Sequence, residues 1–321
     1  MRKYCVTGGT GLIASHLIKT LLHHGHFVRA TVRDPEDETK VGFLRNMEGA
    51  KERLRLFEAN LTVDGSFDEA VQGAYGVFHV ASPVLSPRQN DDVQALIIDP
   101  IVKGTTNVLN SCLKSTTLTR IVLTSSCYAI NQRDDALQIS LCNESHWSDL
   151  DYCKRNNMWY AYAKTVAEEM AWKTAQENGL DLVVVHPSFV IGPLLNHQPS
   201  STLKFLLDLI KGVHGGFQDR YVRFVHIDDV VAVHILAMEE TKAEGRLICS
   251  SAVANWSEII DMLKAKYPMY PYESMPIKEN RDQSKHDLDT SKVMQLGFPG
   301  FKSIPEMFDD CIKSFQEKGL L

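Results

Sequence analysis

Val6-Thr7-Gly8-Gly9-Thr10-Gly11-Leu12-Ile13-Ala14 is the stretch whose reading decides the fold. Upstream, Lys3 to Thr7 reads as a short buried strand. Downstream, Ile13, Leu17, Ile18, Leu21 and Leu22 fall on one helical face. A glycine-rich turn thus joins a strand to an amphipathic helix, the context that gives the motif meaning. Gly8 allows the tight turn, and Gly9 and Gly11 carry no side chain to hold a diphosphate off the backbone. Ala14 takes the third small position, where helix and strand pack closely. The helix N-terminus offers free N–H groups and a positive dipole end to phosphates. The turn, Thr7 to Ile13, is therefore the expected dinucleotide cradle.

Composition bounds the rest. The chain has 321 residues, 44% hydrophobic and 23% charged, with a net charge of -6. That suits a dinucleotide-binding domain plus a smaller one, and it argues against a nucleic-acid or anionic-membrane surface. No apolar run reaches the roughly 18 residues of a membrane span. The first strand starts almost at Met1, so no signal peptide is expected. Seven scattered cysteines read as reduced core or surface thiols of a cytoplasmic protein. His23, His24 and His26 read as a solvated helix end; no metal site is expected.

Phe27 to Val32 reads as strand two, and its far end selects the cofactor. An NAD site usually places an acid here to bind the ribose hydroxyls. This chain has Arg33, with Lys40 beyond it. A guanidinium can bind a 2′-phosphate bidentately, so NADP(H) is expected. Leu54 to Glu58 and Gly76 to Val80 read as strands three and four. Asn60-Leu61 and Val80-Ala81-Ser82 follow them, near the adenine and the nicotinamide ribose. A helix is predicted over Val93 to Leu113, then strands over Ile121 to Leu123 and Asp181 to Val185. This alternation predicts an α/β fold, a doubly wound Rossmann sheet. Past Pro187 loops lengthen and Gly and Pro cluster. Residues 1–187 form the expected cofactor domain, with a return segment near 222–250 whose strand and helix run from Phe224 to Ile235. Residues 188–321 form mainly a substrate-binding cap.

Tyr160 and Lys164 lie at i, i+4 within the helical segment Trp159 to Lys173, so they share a face. Ser126 ends a central strand, where open sheets hold their ligands. Together they form a proton-transfer set. Ser126 would bind a carbonyl, Tyr160 would donate the proton, and Lys164 would bind the nicotinamide ribose and favour the tyrosinate. Working near neutrality asks for a drop of about 3 units from a free Tyr at ~10, or about 4 kcal/mol. A cation about 5 Å away supplies roughly 3 kcal/mol of it at an effective dielectric of ~20. Burial acts the other way. Tyr162 points to another face, and Trp147, Trp159 and the run Phe308 to Phe315 read as packing.

With these motifs in place, the chain resembles the extended short-chain dehydrogenase/reductase superfamily. It is similar, more narrowly, to the plant dihydroflavonol reductase and cinnamoyl-CoA reductase group. Arg29-Ala30-Thr31-Val32-Arg33-Asp34-Pro35, Phe78-His79-Val80-Ala81-Ser82-Pro83, Glu144-Ser145-His146-Trp147-Ser148-Asp149 and Pro187-Ser188-Phe189-Val190-Ile191-Gly192-Pro193 carry that likeness. Within the group it looks most like the tetraketide α-pyrone reductases of the cinnamoyl-CoA-reductase-like branch, in Phe224-Val225-His226-Ile227-Asp228-Asp229 and Asn255-Trp256-Ser257-Glu258 among other stretches. The resemblance implies reduction of a polyketide pyrone ketone on the route to sporopollenin. It also implies a monomer associated with the polyketide synthase and acyl-CoA synthetase of that route. By motif, Pro187, Phe189, Val190 and Thr202 should line the cofactor. Asn131 should face the substrate, with Leu194, Leu195, Phe205 and Leu206 as an apolar channel. Asn60 stands where relatives carry Asp; its amide oxygen should still accept from the adenine amine. Met158, Ala161 and Ala163 depart from the cinnamoyl-CoA reductase pattern. Three alternatives stand beside this reading: a cinnamoyl-CoA or dihydroflavonol reductase, an NAD-dependent epimerase or dehydratase, and a non-catalytic dinucleotide sensor. Cys127-Tyr128 after the serine, where a dehydratase would carry Asp-Glu, argues against the second.

Overall fold

The glycine stretch folds between β1 (Lys3–Val6) and α1 (Leu12–His23) in the computed structural model, which describes residues 1–84, 91–273, 276–277 and 287–321. The strands β2 (Phe27–Val32), β3 (Leu54–Glu58), β4 (Gly76–His79), β5 (Arg120–Thr124) and β6 (Leu182–Pro187) follow the periodicity of the sequence closely. All pair in parallel with their neighbours. Because helices cover both faces, these strands are near-continuous apolar runs; every residue of Leu-Val-Val-Val-His-Pro in β6 is buried. β1 sits between β2 and β4, with Val6 opposite both Ala30 and Phe78. The strand order reverses there, so the crevice beyond its carboxyl end is the expected ligand site.

The long helix predicted over Val93 to Leu113 begins differently. Residues Gln94–Ile98 form a widened π turn that feeds α2 (Asp99–Leu113). Pro100 lies in the first turn of α2 and has no N–H to donate back, which explains the break in regular pairing. The helix α3 (Trp159–Asn178) is longer than predicted and ends at Gly179, in the left-handed conformation. Ala171 and Ala175 of α3 share an apolar cluster with Val108, Leu109 and Cys112 of α2 on one face of the sheet. On the other face, Leu17, Ile18 and Leu21 of α1 pack with Val230, Val233 and Ala237 of α4 (Ile227–Glu239).

The return segment divides in two. Its helix, α4, packs on the main sheet as expected. Its strand, Tyr221–His226, does not join that sheet. It pairs with Phe189–Ile191 and Ala252–Asn255 in a separate three-stranded sheet. The chain re-enters the main sheet later, through Gly245–Cys249, which pairs with β6 and completes seven strands. The cap gathers α5 (Ser201–Ile210), α6 (Trp256–Lys266) and α7 (Ile304–Glu317) around the small sheet. Leu203, Leu206, Trp256, Ile260, Phe308 and Phe315 form its core, so the aromatic run near the C-terminus is packing, as its spacing suggested. Capping boxes start α6 (Asn255 with Glu258) and α7 (Ser303 with Glu306), each satisfying otherwise orphaned N–H groups.

Candidate active site

The glycines of the opening turn divide their work. Gly8 has φ of +72°, and a Cβ there would lie 3.0 Å from the Ala81 backbone. Gly9 is buried; a Cβ on it would sit 3.3 Å from both Ala30 and Ile18. Its smallness serves close helix–strand packing rather than phosphate access. Gly11 is exposed and caps α1 with no side-chain bond, which leaves the first-turn N–H groups open beside Thr10, Leu12 and Ile13. Thr7 plays another part than the cofactor contact expected of it. It is fully buried, and its hydroxyl accepts from Val80 N (3.0 Å) and Ala81 N (2.9 Å). With both lone pairs taken, it donates to His79 Nδ1 at 3.0 Å. Thr7 thereby latches the loop after β4 against the glycine turn. Beyond the latch, the Ser82 hydroxyl is buried with no partner among the described residues. An uncapped helix end, an exposed glycine and an orphaned hydroxyl around one crevice fit a dinucleotide.

Of the expected proton-transfer set, Ser126 lies beside Tyr160, and Lys164 bonds the strand end two residues before Ser126. Ser126 follows β5 in extended conformation, and its Oγ accepts from Tyr128 N at 3.2 Å. Tyr160 and Lys164 occupy one side of α3. Burial pushes the Tyr160 phenol well above its ordinary range; the Ser126 hydroxyl pulls it down and Tyr128 pushes it up. Burial, rather than the expected lowering by Lys164, dominates this phenol. Lys164 is only 6% exposed and donates to Thr124 O at 2.8 Å. Burial lowers its pKa to about 8, and Glu168 acts against that. The partner carbonyl is itself well held. The Thr124 hydroxyl meets His234 Nε2 at 2.8 Å, while His234 Nδ1 donates to Val230 O at 2.7 Å. Tyr162 faces away, edge-on to Trp159 and under the Lys154 ammonium, in agreement with its reading as packing.

At the adenine end the predicted residues differ in kind. Arg33 is exposed at the end of β2 and makes no hydrogen bond or ion pair with any described residue. Lys40 is already paired, 2.7 Å from Asp37. Asn60 is engaged locally. Its amide oxygen accepts from both Thr62 N and Thr62 Oγ1, each at 3.0 Å, so both lone pairs serve a local turn. A backbone N–H can only donate, which fixes the amide oxygen toward this turn. Leu61 packs on Gly104, where a Cβ would come within 2.7 Å of it.

On the cap side, Pro187 is buried at the end of β6 and Val190 is 8% exposed in the small sheet. Thr202 stands in the first turn of α5, its hydroxyl 3.0 Å from Ser200 Oγ. Asn131 accepts from Gln132 Nε2 at 2.7 Å. Leu194 and Leu206 are buried in the cap core, and Leu194 N donates to Ser314 Oγ. Leu195 lines an outer cavity with Lys19, His23, Phe43 and Met47. Leu194 and Leu206 therefore serve the cap core and Leu195 an outer cavity, where an apolar substrate channel was expected. Phe205 is half-buried, edge-on to Phe189 and Trp256. One aromatic escaped the sequence reading: Tyr128 is 38% exposed and edge-on to Tyr160, with centroids 6.3 Å apart. Its place two residues after a strand-end serine was the available signal.

The model of the NAD dependent epimerase/dehydratase family matches residues 4–248. The chain belongs to that family. Within it, the chain is 61% identical to tetraketide alpha-pyrone reductase 2 of Arabidopsis thaliana, over all of both chains. It is 41% identical to cinnamoyl-CoA reductase CAD2 of Medicago truncatula, over 98% of this chain and 95% of that one. Among solved structures of the same fold, vestitone reductase from alfalfa superposes with a TM-score of 0.84 at 34% identity, over all of both chains.

Proposed function

We propose that the chain is an NADPH-dependent ketone reductase acting on alkyl-substituted tetraketide α-pyrones. The observation that carries this reading is Ser126 beside Tyr160, with Lys164 bonded to the same strand end, in a chain 61% identical, end to end, to a tetraketide alpha-pyrone reductase. The turn from Thr10 to Ile13, with Ser82, would hold the diphosphate and the nicotinamide end. Arg33 would take the 2′-phosphate. When bound, NADPH supplies the hydride. The protein does the rest. Ser126 hydrogen-bonds the ketone oxygen and orients it toward Tyr160. Tyr160, kept protonated by burial, gives its proton to that oxygen as negative charge develops there. Lys164 holds a ribose hydroxyl and steadies the phenolate left behind. A high phenol pKa suits this direction, since reduction needs the acid form.

The substrate face supports a flat ring. Tyr128 and Tyr160 offer exposed and half-buried aromatic surface beside Ser126, and Phe205 with Phe189 offers more on the cap side. We place the enzyme in the cytoplasm as a monomer, alongside the acyl-CoA synthetase and polyketide synthase that would make its substrate; among the described residues, no helix is long and apolar enough to cross a membrane. The test is stoichiometric conversion. Purified protein with a tetraketide pyrone should consume one NADPH per alcohol formed, and far less NADH. Conversion of cinnamoyl-CoA or a dihydroflavonol in preference to the pyrone would contradict the reading.

A further inference from the structure

One helical turn beyond Lys164 lies a carboxylate that the reaction as described does not use. Glu168 is 1% exposed. Its oxygens accept from Arg246 Nε (2.6 Å), Ser125 Oγ (2.7 Å), His186 Nε2 (2.7 Å) and Trp172 Nε1 (3.3 Å). Arg246 donates in turn to the carbonyls of Glu144 (2.9 Å), His146 (2.5 Å) and Ala129 (3.3 Å), and its guanidinium lies 3.9 Å above the Trp147 ring. One carboxylate therefore ties together α3, the ends of β5 and β6, the strand Gly245–Cys249 and the segment that follows Ser126. Ser125 precedes Ser126 directly, and Thr124, one residue earlier, holds Lys164.

Stability alone gives a weak reason for this arrangement. Buried ion pairs are commonly no better than well-packed apolar side chains of the same volume. An apolar cluster, however, could neither hold a cation nearby nor fix a serine backbone by a directional bond. The charges in the region are few. His79 on β4 faces Lys164, and burial lowers it to about 3. His234 on α4 is lowered to about 4, and His186 on β6 is lowered as well. All three are neutral near pH 7. Tyr160 on the same helix is protonated, and the Glu144 carboxylate is turned to Ile248 N. Among the described residues, Lys164, Glu168 and Arg246 are then the charged groups at the serine strand end, with the Glu144 carboxylate beyond Arg246 and Glu169 exposed on α3.

We propose that Glu168 is a positioning residue of the reductase reaction, setting a carboxylate one helical turn from the Lys164 ammonium and pinning the strand end that carries Ser126; this rests on reading Ser126, Tyr160 and Lys164 as the reacting set. Its two roles separate by mutation. Glu168→Gln keeps the shape and removes the charge. Ser125→Ala keeps the charge and removes the bond to the strand end.

The experiment follows the Lys164 resonance by NMR in cofactor-free, lysine-labelled protein, and turnover with NADPH beside it. The wild-type lysine should titrate at about 8. In Glu168→Gln the titration should fall by about half a unit or more, because the nearby negative charge is gone. Ser125→Ala should leave the titration in place while kcat drops roughly tenfold at a KM within about twofold, the signature of misplaced rather than lost groups. An unmoved Lys164 titration in a folded Glu168→Gln variant, or wild-type kcat in Ser125→Ala, overturns the proposal. Should Glu168→Gln fail to fold, Ser125→Ala decides alone: lowered kcat upholds the positioning role and unchanged kcat ends it. A wild-type protein that oxidises no NADPH with any ketone would instead sink the functional reading, and the lysine titration would still judge Glu168.

Discussion

The two ends of the crevice are built on opposite principles. At the end that holds Ser126, Tyr160 and Lys164, nearly every polar group is buried and bonded: Lys164 to Thr124, Thr124 to His234, Ser125 to Glu168, Thr7 to Val80 and Ala81. At the adenine end Arg33 stands exposed, Lys40 is paired only with a surface aspartate, and Asn60 is folded into its own turn. Proton transfer needs groups fixed in advance, so their ordering cost is met by folding. Cofactor discrimination needs only a charge that finds its phosphate on binding, and an exposed guanidinium can supply it. Damage at the first end should therefore fall on turnover, and damage at the second on affinity.

The largest effect expected is at Tyr160. Tyr160→Phe keeps the ring and removes the acid, so turnover should fall by roughly 10²–10⁴-fold while NADPH still binds. Tyr162→Phe, on the other face of the helix, should leave turnover nearly unchanged. A larger loss at Tyr162 would overturn the assignment of faces on α3. Next comes Arg33. Its removal should weaken NADPH by about 1.5–3 kcal/mol, roughly 10- to 150-fold, as for a charged hydrogen bond. NADH should be little affected. Lys40→Ala should cost less, since Asp37 already competes for that ammonium. Dissociation constants for both cofactors measure this directly; equal losses for the two would remove Arg33 from the phosphate site.

A pH profile separates the ends further. The active form of Lys164 is its acid, present below its pKa and lost above it. With that pKa at about 8, kcat/KM should hold through neutrality and fall tenfold per unit above pH 8. A plateau extending to pH 10 would mean that Lys164 is not held as low as its burial implies. The smallest effect expected is at Asn60, where Asn60→Ala should change NADPH affinity by less than about 1 kcal/mol, because the lost bonds lie within an exposed turn. A loss matching that of Arg33→Ala would restore the adenine contact.

The same contrast explains what the sequence reveals. Local patterns were legible. The glycine turn, the α1 stripe and the i, i+4 pair Tyr160 and Lys164 each depend on residues within one or two turns, and strand ends located Ser126. Contacts across long separations were not. Glu168 and Arg246 are 78 residues apart, and nothing local marks Gly245–Cys249 as the seventh strand. Thr7 looked like a cofactor contact because it opens the motif, yet its hydroxyl is consumed by a loop more than 70 residues away. Asn60 misled for the opposite reason: its partner, Thr62, is only two residues on, and a turn oxygen used twice cannot be told from a free one by position alone.

The central claim is that an alkyl pyrone ketone is the substrate, and a homologous series of tetraketide pyrones tests it most directly. Each methylene of an alkyl tail buried against apolar side chains adds about 0.8 kcal/mol, or roughly fourfold. With NADPH saturating, kcat/KM should climb with alkyl length for as long as each added methylene is taken out of water, and every active pyrone should outpace cinnamoyl-CoA. A flat series, with the cinnamoyl thioester the better substrate, would contradict the account and assign the chain to cinnamoyl-CoA reduction.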